Sequence, residues 1–157
     1  MPMKPTYVPM LIIMAGSTLL LLGAYGFEFI GGLQPCKLCY WQRFGHLAII
    51  LAALLCALFA RRVFYALGLM VSLANVALAL YHVGVENKWW QGPKSCSSAR
   101  ELGEISVDEL FLQLQATSMV RCDEIPWSFL SISMAGWNGI ITLILAFFWL
   151  KAIQKTF

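Results

Sequence analysis

Two cysteines separated by two residues, Cys36 and Cys39, are the residues in this sequence whose type and spacing best suit chemistry. Two sulfurs at this spacing meet across one tight turn, which suits a reversible disulfide and equally suits half of a zinc site. A helix is predicted to begin here, and the unpaired N–H groups of its first turn favour a thiolate at Cys39. Arg43 follows one helical turn later and is expected to favour the same thiolate. The sequence therefore predicts a reactive cysteine at position 39.

Three further cysteines, Cys56, Cys96 and Cys122, limit what this pair can be. Cys56 lies deep in an apolar run and is expected to be inert and buried. Two stabilising disulfides are one interpretation of the other four cysteines, but closing the short Cys36–Cys39 loop removes little chain entropy. A zinc site is a second interpretation, but Cys96 and Cys122 are not closely spaced and their loop has no histidine. A redox pair explains the short spacing better, and no metal is predicted.

The elements that must position these cysteines are apolar. The chain has 157 residues, of which 60% are hydrophobic and 12% are charged, about half the charged fraction of an ordinary soluble domain. Four runs are near the roughly 20 residues that cross a bilayer, at about residues 8–30, 41–60, 63–83 and 127–150. We predict one all-α integral membrane domain over residues 1–157, a four-helix bundle with loops at about 31–40 and 84–126, and no nucleic-acid partner.

The placement of charge predicts the orientation. One side of the predicted bundle carries five basic residues in three short segments without an acid: Lys4, Arg61, Arg62, Lys151 and Lys155. The other side spreads its basic residues over longer loops, together with all eight acidic residues. Because basic residues concentrate in short cytoplasmic loops, both termini are predicted to be cytoplasmic. The cysteine loops then face outward.

Aromatic residues and one loop segment refine this prediction. Tyr65 and Trp149 are expected at the inner boundary between lipid and water, where such residues concentrate. In the long outer loop, Ser106 to Glu109 has the form of a capping box, and apolar residues follow it at helical spacing. We therefore expect a short amphipathic helix there, packed on the mouth of the bundle or lying on the lipid surface.

Taken together, these patterns resemble a known family. Cys36-x-x-Cys39 followed by Arg43, His82-x-x-x-Glu86, the separated pair Cys96 and Cys122, and Trp137-Asn138 are similar to the DsbB family of bacterial disulfide bond formation proteins. The resemblance covers the whole chain. It implies a multi-pass protein of the bacterial inner membrane whose outer loops are periplasmic. It also implies a membrane thiol oxidase that works within the DsbA–DsbB–quinone relay.

The resemblance also implies a role for each of the four catalytic cysteines. Cys96 would be attacked by a reduced DsbA-like thioredoxin-fold oxidase, and Cys122 would be its partner in the loop disulfide. Electrons would then pass to Cys36 through a transient Cys36–Cys122 bond. Cys39 would remain as a thiolate against a bound quinone, either ubiquinone or menaquinone, and would reduce it.

Two side chains are implied to bind the quinone beside Cys39. Arg43 would orient and polarise a quinone carbonyl, although an arginine extending to the interface is its simpler interpretation. His82 would help to bind the quinone or would move a proton, and a plain interfacial histidine remains open. His46 is expected to have no role in the chemistry.

Two other functions remain open. A quinone or vitamin K epoxide reductase of similar architecture would use the same cysteines for the reverse purpose. A structural or interaction protein of the membrane would hold two static disulfides instead.

Overall fold

The computed structural model describes residues 7–93 and 121–156. It contains four long helices: α1 (Tyr7–Phe29), α2 (Lys37–Phe59), α3 (Arg62–Glu86) and α4 (Met134–Thr156). Each is long and apolar enough to cross a membrane. Helices α1 and α3 each pack against both α2 and α4. The predicted all-α four-helix membrane bundle is therefore confirmed, whereas the expected amphipathic helix after Ser106 lies outside the described residues.

The second and third helices extend beyond their apolar runs. Helix α2 begins at Lys37 because Cys36 is its N-cap: the Cys36 backbone is extended, and its side chain accepts from the Cys39 N–H. Helix α3 continues to Glu86, and the polar His82 and Glu86 are both buried in its last turns. His82 and Glu86 face the interior of the bundle, so hydropathy alone ends the third run too early. It starts the second run too late because it does not detect the Cys36 cap.

A small hairpin precedes the fourth helix. Strands β1 (Ser128–Phe129) and β2 (Ile132–Ser133) pair antiparallel. Leu130 and Ser131 connect them with φ of 51° and 63°, the left-handed values that a type I′ turn requires. The Ser133 Oγ then accepts from the Gly136 N–H at 3.2 Å and caps the helix. The helix therefore begins after the hairpin, although the apolar run starts at residue 127.

The end of the bundle opposite the cysteine pair is a packed apolar core. We call this cluster the inner core, and its buried members are Met10, Ile13, Ile49, Ala52, Ala53, Cys56, Tyr65, Trp149 and Ala152. Trp149 is fully buried and packs edge-on against Tyr65, with ring centroids 6.3 Å apart. A Cβ at Gly68 would lie 2.3 Å from the Trp149 ring, so only glycine leaves room for it. The expectation that Tyr65 and Trp149 lie at the lipid boundary is therefore wrong, because both fill the space between helices.

Candidate functional site: a cysteine pair beside an apolar cavity

The cysteine pair lies at the start of α2 as two free thiols. Their sulfurs are 3.1 Å apart. The Cys36 Sγ accepts from the Cys39 N–H at 3.3 Å and lies 3.5 Å from the Nε2 of His82. The hydrogen bond from the Cys39 thiol, supported by His82, lowers the pKa of Cys36 although burial opposes this shift. Cys36 is therefore set up to be a thiolate at neutral pH.

This arrangement differs from the predicted one. Because Cys36 is the N-cap, the free N–H of the first helical turn points at the Cys36 sulfur and not at that of Cys39. The Arg43 guanidinium, expected to act on Cys39, also forms a close ion pair with Glu28 of α1, which balances part of its charge. The structure therefore favours Cys36 as the thiolate of the reduced pair, and the prediction of Cys39 for that state is corrected.

His82 holds its position beside Cys36 through one partner on α2 and one on its own helix, α3. Its Nδ1 lies 3.3 Å from Gln42 Nε2 in α2, and its Nε2 lies 3.9 Å from the Oε1 of Glu86. Glu86 in turn accepts from the hydroxyl of Ser133, just before α4. His82 and Glu86 are both buried. The imidazole is therefore fixed with Nε2 towards the Cys36 sulfur.

A third cysteine joins the pair from the outer loop. Cys122 is disulfide-bonded and fully buried, in one packed cluster with Cys36, Leu38 and Val85. Its predicted partner, Cys96, lies outside the described residues. The structure therefore brings together three of the four predicted catalytic cysteines, Cys36, Cys39 and Cys122.

A cavity of about 440 Å³ opens on the other side of the pair, within the usual size range of small-molecule sites. Its wall is mostly apolar and comes from α1, α4, the start of α2 and the segment of the hairpin. Six of its lining residues carry amide, guanidinium, imidazole or thiol groups: Gln34, Cys39, Gln42, Arg43, His46 and Asn138. Among the described residues, Cys39 lines this cavity whereas Cys36 and His82 do not. The two cysteines thus face different surroundings.

Arg43 is locked into the cavity wall. It is buried, pairs with Glu28, and donates to the carbonyl of Ala24 at 3.1 Å. Its guanidinium carbon lies 4.7 Å from the centre of the Tyr25 ring and 5.5 Å from that of Tyr40, distances typical of cation–π contacts. Arg43 is therefore not a mobile interface arginine, and its guanidinium lines the cavity in a fixed position.

A buried polar network beyond Arg43 was not predicted. Asn138 Nδ2 donates to Gln42 Oε1 at 2.8 Å, and Asn138 Oδ1 lies 2.7 Å from the Nε2 of His46. Asn75 of α3 lies 3.3 Å from the same nitrogen. His46, expected to have no role, therefore sits inside a network that joins three helices. The spacing of Cys39, Gln42, Arg43 and His46 at i, i+3, i+4 and i+7 was the signal, because it places all four on one helix face.

Comparison with known proteins agrees with this geometry. Residues 7–152 match the family model described as "Disulfide bond formation protein DsbB". The chain belongs to the DsbB family. As a DsbB-family chain it is a disulfide bond formation protein, and its four helices make it a multi-pass membrane protein. The family also indicates a disulfide oxidoreductase, which fits a reactive cysteine pair beside a third, disulfide-bonded cysteine.

Three relatives illustrate the similarity. "Disulfide bond formation protein B" of Pasteurella multocida is 30% identical, with 88% of this chain and 84% of the relative covered. "Disulfide bond formation protein B 2" of Pseudomonas entomophila is also 30% identical, with 92% and 86% covered. "Disulfide bond formation protein B" of Methylococcus capsulatus is 34% identical, with 82% of this chain and 82% of the relative covered. No solved structure matches this DsbB-family chain.

Proposed function

We propose that this protein is a membrane thiol oxidase that reoxidises a DsbA-like periplasmic thioredoxin-fold oxidase and passes the electrons to membrane quinone. The observation that carries the proposal is that the two cysteines of the pair have different neighbours. Cys36 packs with the disulfide-bonded Cys122, whereas Cys39 lines the apolar cavity. Two sulfurs 3.1 Å apart thus connect a disulfide on one side with a ligand-sized cavity on the other.

The transfer begins as two thiol–disulfide exchanges in the outer loops. A thiolate of the reduced partner attacks Cys96, which forms a mixed disulfide and releases Cys122 as a thiolate. Cys122 then attacks the Cys36 sulfur of an oxidised Cys36–Cys39 pair. A Cys36–Cys122 bond forms, and Cys39 leaves as a thiolate at the cavity wall. The shared buried cluster of Cys36 and Cys122 supports the second exchange.

The partner's second thiolate completes its own oxidation. It attacks the partner's sulfur in the mixed disulfide, so the partner leaves with a disulfide and Cys96 becomes free. Two electrons have then passed from the partner to the cysteines of this chain, and Cys39 presents them to the cavity. A thiolate leaves more readily when its charge is stabilised, and Arg43, one helical turn from Cys39, supplies nearby positive charge.

The residues of the cavity fit a quinone. Its wall is largely apolar, and quinone carbonyls accept hydrogen bonds without donating any, so a wall with fixed N–H donors suits them. Arg43 would orient one carbonyl oxygen, and Cys39 would be the sulfur that supplies the electrons. When bound, ubiquinone or menaquinone supplies an acceptor for two electrons and two protons.

His82 is assigned to the proton at Cys36 and not to the cavity wall. Its Nε2 faces the Cys36 sulfur, and Gln42 holds the other ring nitrogen. Because Nδ1 faces the Gln42 amide N–H, the neutral ring carries its proton on Nε2 and donates it in a hydrogen bond to the Cys36 sulfur, which stabilises the Cys36 thiolate. Of its two implied roles, proton movement therefore has the better geometric support.

The orientation follows from charge. We place the protein in the bacterial inner membrane with both termini cytoplasmic, because the short segments at the opposite end of the bundle carry Arg61, Arg62, Lys151 and Lys155 and no acid. The cysteine pair and Cys122 then face the periplasm, where an oxidising partner works.

One absorbance experiment tests the function. Detergent-solubilised protein is mixed with a reduced DsbA-like dithiol partner and a short-chain quinone, and quinone absorbance is followed. We expect quinone reduction that requires the partner and is lost in Cys39→Ser, whereas the matched control Cys56→Ser keeps it. No quinone consumption by folded protein with an active partner would contradict the proposal and favour a structural membrane protein with static disulfides.

A further inference from the structure

We propose that the reduced pair Cys36 and Cys39, together with His82, is a binding site for a thiophilic divalent cation of the Zn²⁺ class. The two Sγ atoms and the His82 Nε2 all lie within 4.8 Å of one another. This inference goes beyond the proposed electron relay and does not depend on the quinone.

The distances are close to those of a tetrahedral site. With Zn–S near 2.3 Å and Zn–N near 2.0–2.1 Å, two ligands at the tetrahedral angle are separated by roughly 3.8 Å for S···S and roughly 3.5 Å for S···N. The Cys36 Sγ lies 3.5 Å from His82 Nε2, which already matches. The two sulfurs, now 3.1 Å apart, must separate by about 0.7 Å. Rotation of the Cys39 side chain towards the cavity can supply this movement.

The three side chains are donors that zinc prefers, and two of them are buried. Two thiolates and one imidazole are the donors of known Cys₂His zinc sites, in which the fourth position stays open. Cys36 and His82 are buried. Metal binding at Nε2 leaves the His82 proton on Nδ1, so the Gln42 amide, whose nitrogen now lies 3.3 Å from Nδ1, must turn its oxygen towards it. Cys39 lines the cavity, so the open position would face it. Sequence alone predicted no metal because the outer loop lacks histidine; the histidine comes from α3 instead.

The binding reaction is an exchange of protons and needs no oxidant. One M²⁺ binds two thiolate sulfurs and one imidazole nitrogen, and each sulfur that still carries a proton releases it to solvent. The oxidised pair, in which the sulfurs are bonded to each other, offers no thiolate and cannot bind in this way. The cation therefore selects the reduced pair and holds both sulfurs apart. Its expected consequence is inhibition, because Cys36 and Cys39 cannot form a disulfide while both bind the metal.

Cd²⁺ is the first probe, because its bonds to thiolates absorb in the ultraviolet. Full-length Cys96→Ser/Cys122→Ser protein in detergent is reduced, freed of reductant and titrated with Cd²⁺, so that the loop cysteines cannot contribute. We expect one Cd²⁺ per chain in the reduced protein and none in the oxidised protein. Binding is lost in Cys36→Ser and in Cys39→Ser and kept in Cys56→Ser. In His82→Ala the affinity falls at least about tenfold.

A second readout uses unaltered site residues. Co²⁺ bound to the reduced Cys96→Ser/Cys122→Ser protein should show the visible bands of a tetrahedral site, and Zn²⁺ should displace it. Zn²⁺ should also protect Cys36 and Cys39 from alkylation, and removing it with a chelator should restore their labelling. The proposal is wrong if the reduced protein binds no Cd²⁺ or Co²⁺. It is equally wrong if folded His82→Ala binds as tightly as its parent, which would show a site made of the two thiols alone.

Discussion

Cys36, which caps α2, and Cys56, which lies within that helix, show how the surroundings of a cysteine determine its chemistry. Both are free thiols and both are buried, with exposed fractions of 5% and 1%. The Cys36 sulfur contacts the Cys39 N–H, the Cys39 thiol and His82. Cys56 instead packs in the inner core, where its neighbours are apolar. Burial therefore does not set the reactivity of a cysteine in this bundle; the donors around its sulfur do.

The same contrast holds between the two ends of the bundle. The cysteine end holds several buried polar residues, among them Gln42, Arg43, His82 and Glu86. Buried polar and charged groups cost free energy unless they are paired, and these residues are paired across helices. The inner core gains stability from close packing around Trp149. Chemistry and tight apolar packing are thus concentrated at opposite ends.

The first way to test this contrast is to remove each cysteine. We expect Cys36→Ser to lower the rate of partner-dependent quinone reduction by about 1000-fold or more, since a serine cannot exchange disulfides. Cys56→Ser should stay within about twofold of the parent, because a buried thiol behaves as a small apolar group. Substantial activity in Cys36→Ser would show that the contacts of this sulfur do not decide function.

A charge change at the cysteine end should lower stability strongly. Glu28→Gln removes the carboxylate from a largely buried ion pair and leaves the Arg43 charge without its partner. We expect the free energy of unfolding to fall by about 3 kcal/mol, measured by denaturation in detergent. The matched control is Glu124→Gln, whose carboxylate is exposed and faces Arg121 in the outer loop. The control should leave stability unchanged, and an equal loss in both variants would contradict the argument from burial.

A methyl group tests the packing of the inner core. Gly68→Ala places a Cβ 2.3 Å from the Trp149 ring, so the ring or helix α3 must move. We expect a loss of about 2 kcal/mol in the free energy of unfolding, seen as a lower Tm with the cysteine chemistry retained. Gly23→Ala is the control, because nothing lies within 4 Å of its added Cβ. If both variants unfold alike, the inner core is not tightly packed at this position.

The general features of the fold could be read from the sequence, because four apolar runs and an uneven charge distribution are one-dimensional signals. The ends of the helices could not. Cys36 caps α2 through its own side chain, and the residues at 130 and 131 turn the chain with left-handed backbone angles. Hydropathy carries no information about either feature. Tyr65 and Trp149 were misplaced for a related reason: an aromatic residue near a helix end can face lipid or a neighbouring helix.

The candidate site was predictable as a list of residues but not as an arrangement. The spacing of Cys36 and Cys39 and the polar residues after them indicated the chemistry. Which sulfur accepts the helix N–H, and which one lines the cavity, depends on the start of α2 and the packing of α1. The Glu28–Arg43 pair joins two helices, and no local pattern predicts it. Contacts between helices require the fold itself.

The smallest expected effect is on the pH dependence of alkylation, which should be weaker for Cys36 than for an ordinary thiol. Because its pKa is lowered, Cys36 is already a thiolate at neutral pH, so its alkylation should increase little between pH 7 and pH 9. An unperturbed cysteine, with a pKa of about 8.5, gains reactivity throughout that range. The measurement is the rate of iodoacetamide labelling of the reduced protein, with Cys36 followed by peptide mass spectrometry.

His82→Ala gives this last prediction its control, because it removes the imidazole and leaves the Cys39 donors in place. We expect the pH midpoint of Cys36 labelling to rise by about one unit and to stay below that of a free thiol. The direction follows from the charge: losing a donor to the thiolate favours the protonated form, so more alkaline pH is needed to reach the same rate. An unchanged midpoint would assign the whole effect to the helix start and the Cys39 thiol. Labelling that rises steeply up to pH 9 in the parent would remove the difference between Cys36 and an ordinary buried cysteine.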